Sequence, residues 1–254
     1  MILVNYSILP LIGCIAVLLF MFFVLVYRPK NLANLLFVMF CLTVVIWLFG
    51  TYKMFIVIND GQIIFWDHFV YVGVTLMSVF LYHFGVVYLR LIEKSQIQKM
   101  IVGIGYILGL LFLILSQTSS LFVNAVFHYR WGAHTIAGPL HHIFLIFFLF
   151  YFFGFLIQLI KFCRQCSGVV KTQLCYVSAG FVFFLVLGPL AFLPAYKIST
   201  FPIVFIVVIP FILLLFHAMF KYEFLSDFDE LVIMREKDMM KWCSKKTSAL
   251  KNKI

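Results

Sequence analysis

Side chains able to do chemistry are few in this chain, and several stand where a bilayer would make them costly. His83 and His217 fall inside long apolar stretches. An ionisable group at that depth has three uses: a ligand for haem, a step in a proton relay, or a neutral imidazole hydrogen-bonded to a neighbouring helix. No carboxylate or second metal-type ligand shares their depth, which favours the hydrogen-bonded imidazole. Trp66, Asp67 and His68 open one apolar stretch, and His141-His142 open a later one. With His128 and His134 they make one face rich in imidazole, chemistry suited to a small ligand or to zinc or copper. Adjacent histidines on a helix point about 100° apart, so only one of His141 and His142 can share a site with His68. Their spacing fits no standard ligand motif, and we assign no metal, no cofactor and no catalytic residue. Cys163-Arg-Gln-Cys166 has the spacing of a zinc or redox pair, but it lacks a second pair and a thioredoxin-like setting, so it reads as a reduced structural pair. A retinal Schiff base needs a lysine within the last apolar stretch, and residues 202–220 contain none.

The elements that must position these residues are set by composition. Of 254 residues, 65% are hydrophobic and 11% charged, with a mean hydropathy of +1.13. Soluble proteins run at roughly 45–50% apolar and about 25% charged, so this chain cannot build a water-soluble surface. The net charge of +10 comes from basic residues that punctuate apolar runs, which points to a membrane surface rather than nucleic acid. The first run continues through residues 8–27 and is closed by Arg28 and Lys30, too long for a cleaved signal peptide. Cys14, Cys41 and Cys175 lie inside apolar runs, Cys163, Cys166 and Cys243 fall in segments read as cytoplasmic, and none lies on the external side, so no disulfide framework is indicated.

Seven apolar runs are each long enough to cross as a helix: residues 8–27, 35–57, 66–89, 100–115, 140–160, 174–192 and 202–220. The fold class is therefore an all-α seven-transmembrane bundle. Arg28 and Lys30, then Arg90, Lys94 and Lys99, then Lys161, Arg164 and Lys171, then the tail from Lys221 share one side, against Lys53, Arg130 and Lys197 on the other. Cytoplasmic loops accumulate Lys and Arg, which places the N-terminus outside and the C-terminus in the cytoplasm of a multi-pass plasma-membrane protein, with the lipid bilayer as its main partner. The longest outer connection, residues 116–139, carries Asn124, His128, Tyr129, Arg130, Gly132 and His134, and reads as a loop and first candidate for binding. Gly188-Pro189 and Pro194 bend the sixth span, and Pro202 and Pro210 flank or kink the seventh, as static kinks or as a hinge. No internal repeat and no mid-span acid is present, which counts against an ion-coupled transporter. Beyond residue 227, Asp229 and Glu230 precede a lysine-rich stretch with Leu231, Val232, Met239 and Trp242 at near-helical spacing. Such a tail can lie on an anionic leaflet or dock on a signalling partner, or remain a frayed solvated end.

The C-terminal half adds a family resemblance. Gly168-Val-Val-Lys171-Thr-Gln173-Leu-Cys-Tyr176, then Gly180, Gly188, Leu193-Pro194, Phe201-Pro202 and His217-Ala-Met-Phe-Lys221-Tyr222-Glu-Phe-Leu225-Ser-Asp227 resemble the seven-helix N-terminal sensor region of bacterial histidine kinases. Asn34 with the run to Trp47, and Phe65-Trp66, agree in outline. The resemblance implies a sensor bundle over residues 1–227, with a basic tail over 228–254, that perceives an external or intramembrane signal and passes it down the seventh helix to a cytoplasmic output module. Pro202, Pro210, Lys221, Tyr222 and Asp227 would relay it; Trp66, Asp67, His68, His141 and His142 would meet an unknown small ligand. The tail has no histidine and Gly188 is the last glycine, so neither a phosphoacceptor helix nor a glycine-rich ATP lid is expected here, and the output partner would be a separate protein. A small-molecule permease and a haem- or metal-dependent membrane protein stand as alternative functions.

Overall fold

A computed structural model of the chain describes residues 7–129, 131–200, 204–222 and 224–225. The N-terminal span is α1, Ile8–Tyr27. It is followed by α2, Leu32–Ile56, and α3, Asp60–Tyr88. A single turn, α4 (Leu91–Lys94), leads into α5, Gln96–Thr118. Two short strands, β1 (Val123–Tyr129) and β2 (Gly132–Ala137), separate it from α6, Pro139–Gln165. Next comes α7, Gly168–Leu187, which continues as a 3-10 helix over Gly188–Tyr196, and α8, Val204–Tyr222, closes the bundle. Among the described residues, seven helices are long and apolar enough to cross a membrane. The all-α seven-transmembrane class is thus what the chain adopts, and the protein is a multi-pass membrane protein.

Two helices begin earlier than their apolar runs. Asn31 caps α2 by accepting the amide of Asn34 at 2.9 Å, and Asn59 caps α3 by accepting the amides of Gly61 and Gln62. A cap satisfies amides that the helix itself leaves orphaned, so the helix extends through polar residues that hydropathy alone assigns to a loop.

The hub is α3, the most buried span, which packs on α2, α5 and α6. It approaches the α2 backbone closely at Gly73, where a Cβ would stand 2.5 Å from the Thr43 carbonyl. Absence of a side chain lets the two backbones touch, the usual device by which membrane helices gain packing energy without a hydrophobic driving force. Interlocking rings fill the space around the hub: Phe37, Phe84, Phe155, Phe181 and Phe211 are all buried. Leu19, Phe22, Ile107, Ile146, Val186 and Phe220 instead stand exposed on the outside of the bundle, the surface a bilayer covers.

Two features correct the expected elements. The connection between the fourth and fifth spans, read as a loop, is an antiparallel hairpin pairing Tyr129 with Gly132 and Phe127 with His134. A two-stranded hairpin is marginal alone and needs a surface to pack on. It has one: the buried Phe122 ring meets Tyr71 of α3 at 4.8 Å, and the Tyr129 hydroxyl donates to the Pro194 carbonyl at 2.6 Å. At Gly188-Pro189 the sixth span changes helix type, from α to 3-10, because proline supplies no amide to the α-helical ladder.

Candidate functional site

The hairpin lies over a cavity of about 70 Å³ sunk into the end of the bundle. That exceeds the roughly 10–15 Å³ one water molecule needs by this measure. Its walls come from α2, α3, α6, α7, the 3-10 segment, α8 and the hairpin, so six helical elements and the hairpin must assemble before it exists. The lining is mostly apolar and rich in aromatic rings. Trp47 packs against Phe184 and Phe205, and Phe55 bridges Phe205 to Trp131 of the hairpin, with ring centres 5.8–6.3 Å apart. The 3-10 helix forms one side because its tighter winding carries Pro189, Leu190 and Phe192 to the cavity edge.

Into this apolar box projects one carboxylate. Asp67, on α3, is only 2% exposed and lines the cavity. The hydroxyl of Thr135, itself buried in β2, donates to Asp67 Oδ2 at 2.8 Å. That bond fastens the hairpin to the hub helix across 68 positions of sequence. His134, next along β2, also lines the cavity, with its Nδ1 2.9 Å from the Thr135 carbonyl. Burial pushes its pKa below the usual imidazole value, against the smaller opposing effect of that carbonyl, so the ring is held neutral. A carbonyl can only accept, so Nδ1 carries the proton and Nε2 keeps a lone pair.

At the opposite end, where the basic loops gather, α8 and the residues beyond it are tied down by buried rings and hydrogen bonds. Past the last turn of α8, Phe224 is fully buried among Phe37, Phe84 and Tyr88. Leu225 takes a left-handed backbone with φ of 66°, unfavourable by roughly 1–2 kcal/mol for an L-residue. Its carbonyl is held by the Asn34 side-chain amide at 3.0 Å, and the same amide reaches the Pro29 carbonyl at 2.8 Å. Arg28 donates to the Met219 carbonyl of α8. The end of α8 is thus clamped to the α1–α2 turn and to α3. A polar tie joins three further helices nearby: Gln158 of α6 donates to the Tyr82 hydroxyl, which donates to Gln98 of α5 at 2.6 Å.

With a cavity at one end and a clamp at the other, comparison with known proteins is decisive. A family profile described as the N-terminal 7TM region of histidine kinase matches residues 9–226. The chain belongs to this family. No match among curated proteins accompanies it. Histidine kinase N-terminal 7TM regions are sensing regions and not themselves catalytic, which makes this bundle a membrane sensor region.

Within this sensor region the candidate ligand residues separate. Of Trp66, Asp67, His68, His141 and His142, only Asp67 lines the cavity. Trp66 stands outside it, with Lys53 over its ring at 5.1 Å. His68 contributes its carbonyl to Gln117 of α5 at 2.9 Å. His141 is fully buried in the wall, its Nδ1 2.7 Å from the Tyr196 hydroxyl. His142 is exposed and faces the Tyr196 ring at 5.2 Å. The two histidines therefore diverge, as adjacent helix positions must. His83 meets the Tyr106 hydroxyl of α5 at 3.0 Å, the interhelical bond expected of it, whereas His217 lies beside Tyr176 and Tyr222. The described residues give no direct contact between His83 and His217. Cys163 faces Cys175, with sulfurs 3.3 Å apart, a partner other than the expected Cys166. Pro210 lies inside α8, and Lys221 and Tyr222 form its last turn, with Lys221 over the Tyr222 ring. Pro202, Asp227 and the tail lie outside the described residues.

Sequence reasoning missed Trp131 and Trp47 in the cavity, Thr135 as the partner of Asp67, and Arg28 and Asn34 in the clamp. The alternation Val-Asn-Ala-Val-Phe-His-Tyr before Arg-Trp-Gly was the available sign of a hairpin. No local sign marks Asn34 as a clamp, since its partner is 191 positions away.

Proposed function

We propose that the hairpin end faces outward, that a small ligand enters the cavity there, and that α8 carries the resulting strain to a cytoplasmic output protein. The observation that supports this most directly is the span of α8 itself. Phe205, in its first turn, is part of the cavity wall, and Met219, in its last, is held by Arg28 in the clamp. One helix, about 28 Å long at 1.5 Å per residue over its 19 residues, touches both ends. Packed helices slide or switch as units because cores are dense, so filling the cavity shifts the clamped end instead of being absorbed on the way. The loop-charge asymmetry supports the orientation.

The test fills the cavity without needing a ligand. Spin labels at Lys30 and Lys221 report the separation of the α1–α2 turn from the end of α8 in lipid nanodiscs. Substituting Ala191→Phe at the cavity wall is expected to displace or broaden that distance distribution. Distributions that superimpose for the filled and unfilled proteins, with both folded by circular dichroism, overturn the relay.

A further inference from the structure

The polar groups of the cavity are chemically one-sided. Asp67 offers a carboxylate whose Oδ2 is already taken by Thr135, which leaves Oδ1 as an acceptor. No lysine or arginine among the described residues forms an ion pair with it. His134 spends its proton on the Thr135 carbonyl, so its Nε2 is also an acceptor. The Thr51 hydroxyl donates to the Trp47 carbonyl at 2.8 Å, and what it can still offer the cavity is again a lone pair. Against these stand the Tyr71 hydroxyl, able to act either way, and the Trp131 indole N–H, buried with no partner among the described residues. These acceptors line one cavity together with several aromatic rings. A carboxylate in such a site is unfavourable alone and favourable beside a cation. Aromatic faces attract that cation further.

We propose that the cavity binds a small primary amine in its protonated form, the ammonium donating to Asp67 Oδ1 and His134 Nε2 while a short aliphatic body rests among Trp47, Phe184 and Phe205, the size that about 70 Å³ admits. The assignment builds on the reading of this cavity as the sensing site and names the class of molecule it senses. A quaternary ammonium fits less well, because it has charge but no N–H to give the two acceptors. An anion meets Asp67 directly and is repelled. The Tyr71 hydroxyl, able to donate as well as accept, leaves room for one acceptor atom on the ligand.

Titrations of the full chain in phosphatidylcholine nanodiscs decide the matter, with intrinsic fluorescence as readout since Trp47 and Trp131 both line the cavity. The probes are ethylamine, its neutral counterpart ethanol, and acetate. Charge-assisted hydrogen bonds predict that the amine saturates the signal at about tenfold lower concentration than the alcohol, with acetate weakest. Asp67→Asn is expected to remove that preference. Equal saturation by amine and alcohol, or a preference that survives Asp67→Asn, overturns the amine assignment while the cavity stands as a ligand site. Failure of every probe to saturate overturns both the assignment and the cavity reading. The amine–alcohol comparison on the unaltered chain decides the class even where Asp67→Asn does not fold.

Discussion

The two ends of this bundle are built from the same helices and packed to opposite purposes. At the hairpin end, α2, α3 and α8 stand far enough apart to leave a cavity, and its one carboxylate, Asp67, is held by a single hydroxyl. At the basic end the same helices close on Phe224, and Asn34 and Arg28 bond the last turn of α8 and the residues beyond it directly. A dense core responds to change as a unit, while a void lets its walls move. The contrast therefore assigns compliance to the hairpin end and rigidity to the basic end.

That contrast is sharpest in the cost of removing rings. Phe224→Ala empties a fully buried site and is expected to destabilise the protein by about 3–5 kcal/mol. Phe205→Leu, beside an existing cavity, should cost only about 1 kcal/mol, the loss of transfer energy with little new void. Thermal unfolding in detergent measures both, and equal losses would remove the distinction between the ends. Next in size, Asn34→Leu leaves the Leu225 and Pro29 carbonyls without their donor and is expected to cost about 2 kcal/mol. Hydrogen exchange should then rise at the end of α8 and leave the hairpin unchanged. Exchange that rises equally at both ends would show that the clamp is not a local device.

Thr135→Val removes the one bond from the hairpin to Asp67, for about 1 kcal/mol. Its mark should be faster exchange in β1 and β2 with α8 unaffected. The smallest effect is one of pH. Burial lowers the His134 pKa below its ordinary 6.5, so near and below that pH the unfolded hairpin binds more protons than the folded one. Stability from this group is full above about pH 6.5 and falls as pH falls toward the lowered folded value. Hairpin amide protection, with the intrinsic pH dependence of exchange divided out, should therefore fall on acidification from pH 7.5 to 5.5, a dependence that His134→Gln weakens. A variant with the same slope as the natural protein would place the titrating group elsewhere.

How much of this was legible in the chain differs element by element. Residues 8–27 were bounded correctly because both ends of α1 coincide with the ends of its apolar run. The starts of α2 and α3 were missed because Asn31 and Asn59 act through capping bonds that hydropathy does not register. Asp67 was legible as an acid at the mouth of a span. Its companions were not: the neighbours His68 and Trp66 turn away from the cavity, and Thr135 sits in a hairpin read as a loop.

The sequence by itself determined the solvent, the number of crossings and the side on which the basic loops collect, since hydropathy and charge act residue by residue along the chain. The cavity, the Asp67–Thr135 bond and the Asn34 clamp were decided only by the tertiary structure. Each depends on which faces of distant helices meet, and in a membrane those faces are selected by close fit between side chains, because nearly every face is equally apolar.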